Sequence, residues 1–95
     1  MSTVTTDIEI EKVSRKAIES LYGQNIENFE VRVILPNVSD ENVAKGGLAS
    51  SERRDSWDVQ VIFILNGLQY TVDLIINEKD GQVTYARLID KMKPL

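Results

Sequence analysis

The chain of 95 residues carries a formal net charge of −4 and contains neither cysteine nor histidine. The missing residues exclude disulfides, ordinary structural zinc sites and nucleophiles activated by histidine, and the acidic balance disfavours general nucleic-acid binding. An apolar content of 42% is typical of a globular protein, and the length predicts a single domain, 1–95. No catalytic residue, metal ligand or cofactor is predicted, and we do not expect an enzyme.

The start of the chain lacks the basic and apolar regions of a signal peptide. No apolar run approaches the roughly 20 residues that span a bilayer. With the absence of cysteine, these features predict a cytoplasmic protein with no membrane partner. Residues 1–5 are expected to be frayed.

An amphipathic helix is predicted to begin at Thr6. Thr6 and Glu9 have the spacing of a capping box, in which a hydroxyl and a carboxylate satisfy two free backbone amides. Gly23 suits the left-handed residue that ends a helix. The apolar stripe of this helix consists of Ile10, Val13, Ala17, Ile18 and Leu21. Its simplest role is to cover the domain's own sheet.

The segment from Phe29 to Leu35 alternates in polarity, which predicts the first β-strand. The alternation points Ile34 away from the helix. The residues predicted to face the helix are Phe29, Val31, Val33 and Leu35. Pro36 ends the strand, and residues 37–56 are predicted to form a long flexible loop, because they are polar and have no period.

Asn66-Gly67 lies between two apolar runs that extend from Trp57 to Ile76. This dipeptide favours a type I′ turn, in which both central residues have positive φ, and so predicts a β-hairpin. Counting outward from the turn gives apolar pairs on one face: Leu65–Leu68, Phe63–Tyr70, Val61–Val72, Val59–Leu74 and Trp57–Ile76. The other pairs are Ile64–Gln69, Ile62–Thr71, Gln60–Asp73 and Asp58–Ile75. A register slip of one residue would bury Asp58 and Gln60, so turn and polarity select the same pairing.

The hairpin register determines how two groups of side chains are interpreted. Trp57, Phe63 and Tyr70 share the helix-facing side, so we interpret them as core residues and not as a platform for stacking bases. Asp58 and Asp73 share the opposite side. An open face would keep both carboxylates solvated, so we interpret them as surface charge and not as an acid–base pair.

Gln82 to Ile89 is predicted to be a fourth strand, entered through a turn at Asp80-Gly81. Two face assignments are open. A four-residue loop would point Val83 and Tyr85 toward the helix, and this is the assignment that we favour. A three-residue loop with a glycine bulge would instead point Thr84, Ala86 and Leu88 inward.

These elements predict a two-layer α+β domain, in which one N-terminal helix packs on a four-stranded antiparallel meander. The stretch from Tyr70 to Leu88 resembles PepSY-type domains in its aromatic residue, alternating strand, Asp-Gly turn and short final strand. With Trp57, Gly81, Tyr85 and Arg87, it also looks like gas vesicle protein O. Both resemblances imply a non-enzymatic accessory or regulatory role.

Three functional hypotheses follow. The first is a protein-interaction module, most simply a homodimer, because the chain has nothing left to cover the second sheet face; its contact residues would be Ile34, Ile62, Ile64, Thr71 and Ile75. The second is a nucleic-acid accessory factor, or a binder of an acidic partner, that uses Arg53, Arg54, Arg87, Lys91 and Lys93. The third is a small-molecule pocket between helix and sheet, where Ala17 and Ser20 are the small helix residues.

Overall fold

A computed structural model describes residues 6–38 and 54–93. Within these ranges the chain forms one helix and one antiparallel sheet, which confirms the predicted α+β class. The elements are α1 Asp7–Tyr22, β1 Glu27–Asn37, β2 Ser56–Leu65, β3 Leu68–Asn77 and β4 Val83–Met92. The strands are neighbours in chain order, as in a meander. Residues 1–5, predicted to be frayed, and most of the predicted 37–56 loop lie outside the described residues.

The predicted capping box is present at the start of α1, and Gly23 follows its last residue with the predicted positive φ but an extended ψ of 172°. The backbone N–H of Glu9 donates to the Thr6 hydroxyl at 3.2 Å, and the N–H of Thr6 donates to the Glu9 carboxylate at 3.0 Å. Gly23 has φ +95°, and its N–H donates to the Glu19 carbonyl at 2.9 Å. The capping box and the terminal glycine therefore set the helix boundaries locally.

The buried face of α1 differs in detail from the predicted apolar stripe. Ile10 and Ile18 are buried, and Ser14 lies between them with its hydroxyl also buried. Leu21, which was predicted to belong to the stripe, is 59% exposed. The helix thus meets the sheet along the line of residues 10, 14 and 18, where a small side chain lets it approach closely.

The central hairpin has the predicted register. All nine predicted pairs between β2 and β3 are present, from Trp57–Ile76 to Leu65–Leu68. Asn66 has φ +53° and Gly67 has φ +77°, as a type I′ turn requires. The helix-facing residues of the hairpin form the centre of the core with Ile10 and Ile18, and they are Val59, Val61, Phe63, Val72, Leu74 and Ile76.

Gly67→Val is expected to lower the free energy of unfolding by at least about 1 kcal/mol, because a β-branched residue is strained at positive φ. A Cβ at this position would meet no atom within 4 Å, so the cost comes from the backbone and not from a clash. Thermal denaturation measures the effect. Gly67→Asn is the control, because asparagine tolerates this conformation. Equal melting of the valine variant and the parent would contradict the turn assignment.

An aromatic cluster closes the core at the turn end of the hairpin. The ring centroids of Phe63 and Tyr70 lie 5.3 Å apart, and Tyr22 at the end of α1 lies 5.1 Å from Phe63 and 5.6 Å from Tyr70. Trp57 packs half-buried against the opposite end of the core. The prediction that Trp57, Phe63 and Tyr70 belong to the helix-facing side is confirmed.

A β-bulge in β1 makes part of the predicted face assignment wrong. Val31 pairs with Val61, but the next pair is Val33 with Gln60, so one extra residue, Arg32, lies between them. The extra residue reverses the alternation of every position that follows. Val33 and Leu35 therefore lie on the side away from the helix. Ile34, predicted there, instead pairs with Val59 and packs against the core.

An extra residue in β4 makes each of the two face assignments considered for this strand correct in one part of it. Val83 pairs with Ile76 on the helix-facing side, and Tyr85 pairs with Ile75 on the other side, because Thr84 is an extra residue between them. Val83 thus faces inward as favoured, whereas the inward assignment of Tyr85 is wrong. Ala86 and Leu88 fall on the helix-facing side, where the alternative placed them. Another extra residue, Ile89, precedes Asp90.

Candidate interaction face

The side of the sheet away from α1 is covered by none of the described residues, and we call it the open face. Residues paired across strands share a face, so the register shows which residues of the four strands lie side by side on the open face. We call each such set a row. Successive rows from β1 to β4 read Leu35–Asp58–Ile75–Tyr85, then Val33–Gln60–Asp73–Arg87, then Glu30–Ile62–Thr71–Asp90, then Glu27–Ile64–Gln69–Met92.

The open face contains four of the five residues predicted to bind a partner. Ile62, Ile64, Thr71 and Ile75 lie in its two central strands. Ile34 does not, because of the bulge at Arg32. The structure adds apolar residues that sequence reasoning missed, and they are Val33, Leu35, Tyr85 and Met92. All four are at least 40% exposed, so the apolar part of the face extends to both outer strands.

The charges on the open face are predominantly negative. Its carboxylates are Glu27, Glu30, Asp58, Asp73 and Asp90, and its one basic residue in the described strands is Arg87. Arg87 pairs directly with Asp73 across β3 and β4. Charge repulsion therefore opposes contact between two copies of this face, and any change that neutralises a carboxylate favours it.

Asp73 departs from the behaviour expected of a solvated surface carboxylate. Burial, a hydrogen bond with Asp58 and the negative charge of Asp58 together raise the pKa of Asp73 from 3.8 to about 7, against the opposing charge of Arg87. The expectation that an open face keeps both carboxylates solvated is therefore wrong for Asp73. The physical reason is the register of β2 and β3, which places Asp58 diagonally beside Asp73, with the apolar side chains of Val33 and Leu35 next to the pair.

The carboxylate pair lies in a shallow recess of about 140 Å³ that is bordered by Val33, Leu35 and Gln60. Pockets that bury small ligands usually measure about 300–1,000 Å³. The recess is too small to enclose a substrate beside the two acids. The arrangement can hold and release one proton near neutral pH, and this changes the charge of the surface.

The four described basic residues of the nucleic-acid hypothesis do not form one surface. Arg54 forms an ion pair with Glu78, and its guanidinium lies 4.6 Å from the ring centroid of Trp57. Arg87 lies on the open face, whereas the Lys91 ammonium lies over the Tyr70 ring on the helix-facing side. Lys93 is exposed after β4, and Arg53 lies outside the described residues. Arg54 thus has a structural environment that its position in a polar segment did not indicate.

The described parts of the chain contain neither a cluster of metal ligands nor a membrane-spanning helix. Among residues 6–38 and 54–93, no three acidic side chains are grouped so that they could hold a metal ion. No helix in these ranges is long and apolar enough to cross a membrane. Comparison of the chain with protein-family models, with curated proteins and with solved structures found no match.

Proposed function

We propose that this domain is a non-catalytic protein-interaction module that self-associates through the open face. The observation that carries the proposal is the set of apolar side chains on this face, with Ile62, Ile64 and Ile75 in the central strands and Val33, Leu35, Tyr85 and Met92 exposed in the outer ones. The solvated face of an antiparallel sheet is normally polar. Many apolar side chains gathered on one accessible face usually mark an interaction site.

The dimensions of the sheet support a dimer of modest size. Four strands spaced about 4.8 Å apart and about ten residues long present a plan area of roughly 600 Å². Two such faces bury about 1,200 Å², which is the lower end of the range for stable complexes. A two-fold axis lets each copy use the same surface, so no second binding surface is needed.

The outer strands favour contact through the face over strand addition at an edge. β1 is irregular between Glu27 and Glu30, carries a bulge at Arg32 and contains Pro36, whereas β4 has extra residues at Thr84 and Ile89. Bulges and prolines interrupt the row of free N–H and C=O groups that an added strand would need. The central hairpin has no such interruption.

Two further parts of the proposal rest on the sequence. An accessory or regulatory role is supported by the resemblance of Tyr70 to Leu88 to PepSY-type domains and to gas vesicle protein O. A cytoplasmic location is supported by the cysteine-free composition. Purification of the tagged protein from its native cell, followed by fractionation and identification of co-purified proteins, tests both.

Ile62→Lys combined with Ile64→Glu is expected to convert the associated protein into a folded monomer of 10.7 kDa. The two charges would have to be desolvated in the interface, whereas they remain hydrated in the monomer. Light scattering measures the mass, and circular dichroism checks the fold.

The matched control is Leu88→Lys combined with Leu21→Glu, which makes the same chemical change at exposed residues on the helix side. This control should associate like the parent. A parent protein that is monomeric at millimolar concentration would contradict the proposal, as would equal dissociation of both double variants.

A further inference from the structure

The helix layer is narrower than the sheet that it covers. The central helix-facing residues of β2 and β3, from Val59 to Phe63 and from Val72 to Ile76, are fully buried, but Leu88 on the same side of β4 is 45% exposed. A groove of about 570 Å³ runs between α1 and β4. Its walls include Val13, Ala17, Ser20 and Leu21 of α1 and Val83 and Ala86 of β4.

We infer that this groove binds an amphipathic α-helix of a partner protein, with acidic residues beside the helix's apolar stripe. Four strands spaced about 4.8 Å apart offer more width than one helix of about 10 Å diameter covers. A second helix beside α1 would complete the layer. It would bury Leu21 and Leu88, which a one-helix layer leaves exposed, by the helix-in-groove mode of recognition.

The charges beside the groove specify an acidic partner. Lys16 contributes to the groove wall, and Lys12 lies one turn before it on α1. Lys91 lies further along the helix-facing side of β4. Within the described residues, none of these three lysines forms an ion pair. The nearby Glu19 is paired with Arg15 at 3.5 Å. Carboxylates flanking the incoming stripe would meet uncompensated ammonium groups on both sides.

The shape and chemistry of the groove favour a helix over a strand or a small ligand. An added strand would need a regular β4 edge, which the extra residues Thr84 and Ile89 interrupt. A small-molecule site needs several convergent polar groups. Here the Thr84 hydroxyl is directed to the Ile75 carbonyl, and Lys16 is the one charged side chain in the wall. The apolar strip also continues to Leu88, beyond the groove itself.

The test uses the whole protein and synthetic 16-residue peptides, the length of α1. One peptide has leucines at i, i+3, i+4 and i+7 with glutamates beside them, a second has lysines in place of the glutamates, and a third is the scrambled acidic peptide. Fluorescence anisotropy is expected to show saturable binding of the acidic peptide, at least tenfold tighter than that of the other two. Dodecanoate serves as the small anionic competitor.

Substitutions locate the bound peptide. Ala86→Glu places a carboxylate on the groove floor and should weaken binding at least tenfold, whereas Met92→Glu makes a similar change on the open face of the same strand and should have no effect. Lys16→Glu should remove the preference for the acidic peptide. Ile62→Lys with Ile64→Glu should leave binding unchanged, which separates this inference from the proposed self-association.

Several results would overturn the inference. They are the absence of saturable acidic-peptide binding at 1 mM, equal binding of the scrambled or basic peptide, and loss of binding in the open-face double variant with retention in Ala86→Glu. Complete displacement of the peptide by micromolar dodecanoate would identify the groove as a site for small anionic amphiphiles instead.

Discussion

Phe63→Ala is expected to lower the free energy of unfolding by about 3–5 kcal/mol, the largest effect of any single core truncation in this domain. Phe63 is fully buried and contacts two other rings, so its removal leaves a cavity that neighbouring side chains fill only in part. Domains of this kind have total stabilities of about 5–15 kcal/mol. Urea denaturation followed by circular dichroism measures the loss.

Met92→Ala is the matched control for this truncation. Met92 is 50% exposed on β4, so loss of its side chain should change the stability by no more than about 0.5 kcal/mol. The interpretation of Phe63 as the centre of the core would be wrong if the two variants unfolded at the same urea concentration.

Asp73→Asn is expected to stabilise the domain at pH 8 by an amount on the order of 2 kcal/mol, and to leave stability at pH 4 nearly unchanged. Because its pKa is raised from 3.8 to about 7, Asp73 keeps a proton in the folded state that the unfolded chain has already released. Its favourable contribution is complete below pH 3.8 and is lost as the pH rises through about 7. Asparagine resembles the protonated acid at every pH.

The measurement is urea denaturation of parent and variant at several pH values, so that other titrating groups cancel in the difference. Asp90→Asn removes an exposed carboxylate from the same face, in the row of Thr71, and is measured in parallel as the control. A constant difference between Asp73→Asn and the parent from pH 4 to pH 8 would contradict the assignment.

The same proton affects the proposed self-association. Asp58 and Asp73 lie in the two central strands of the open face, where two copies would bring their carboxylates together. Protonation of Asp73 removes one negative charge per copy. We therefore expect the dimer to weaken as the pH rises through about 7, and added salt to offset part of this loss by screening.

The hairpin was predictable from the sequence because two independent signals agree there. Asn66-Gly67 specifies a turn that needs positive φ, and the polarity of the flanking residues permits one register. The helix start at Thr6 was predictable for a similar reason, since hydroxyl and carboxylate lie at capping-box spacing. In both places the deciding interactions are local in the chain.

The faces of the outer strands were not predictable by alternation alone. Arg32 and Thr84 are ordinary strand residues, and pairing with the neighbouring strand determines that they are extra. One signal was available in β4. Val83 and Arg87 are four positions apart, so strict alternation would place them on the same face. Burial of Val83 and pairing of Arg87 with Asp73 require opposite faces, and one extra residue between them makes this possible.

The contacts around Arg54 fix both ends of the segment between β1 and β2. Its ion pair with Glu78 is accompanied by backbone hydrogen bonds of 3.0 Å from Asp55 to the Asn37 carbonyl and from Glu78 to the Asp55 carbonyl. The positions where the chain leaves and re-enters the sheet are therefore tied to each other and to the start of the β3–β4 turn. Since doubling a loop's length costs only about 0.6 kcal/mol in closure entropy, this junction can accept inserted sequence, such as an epitope or a reporter, while the register of the sheet is preserved.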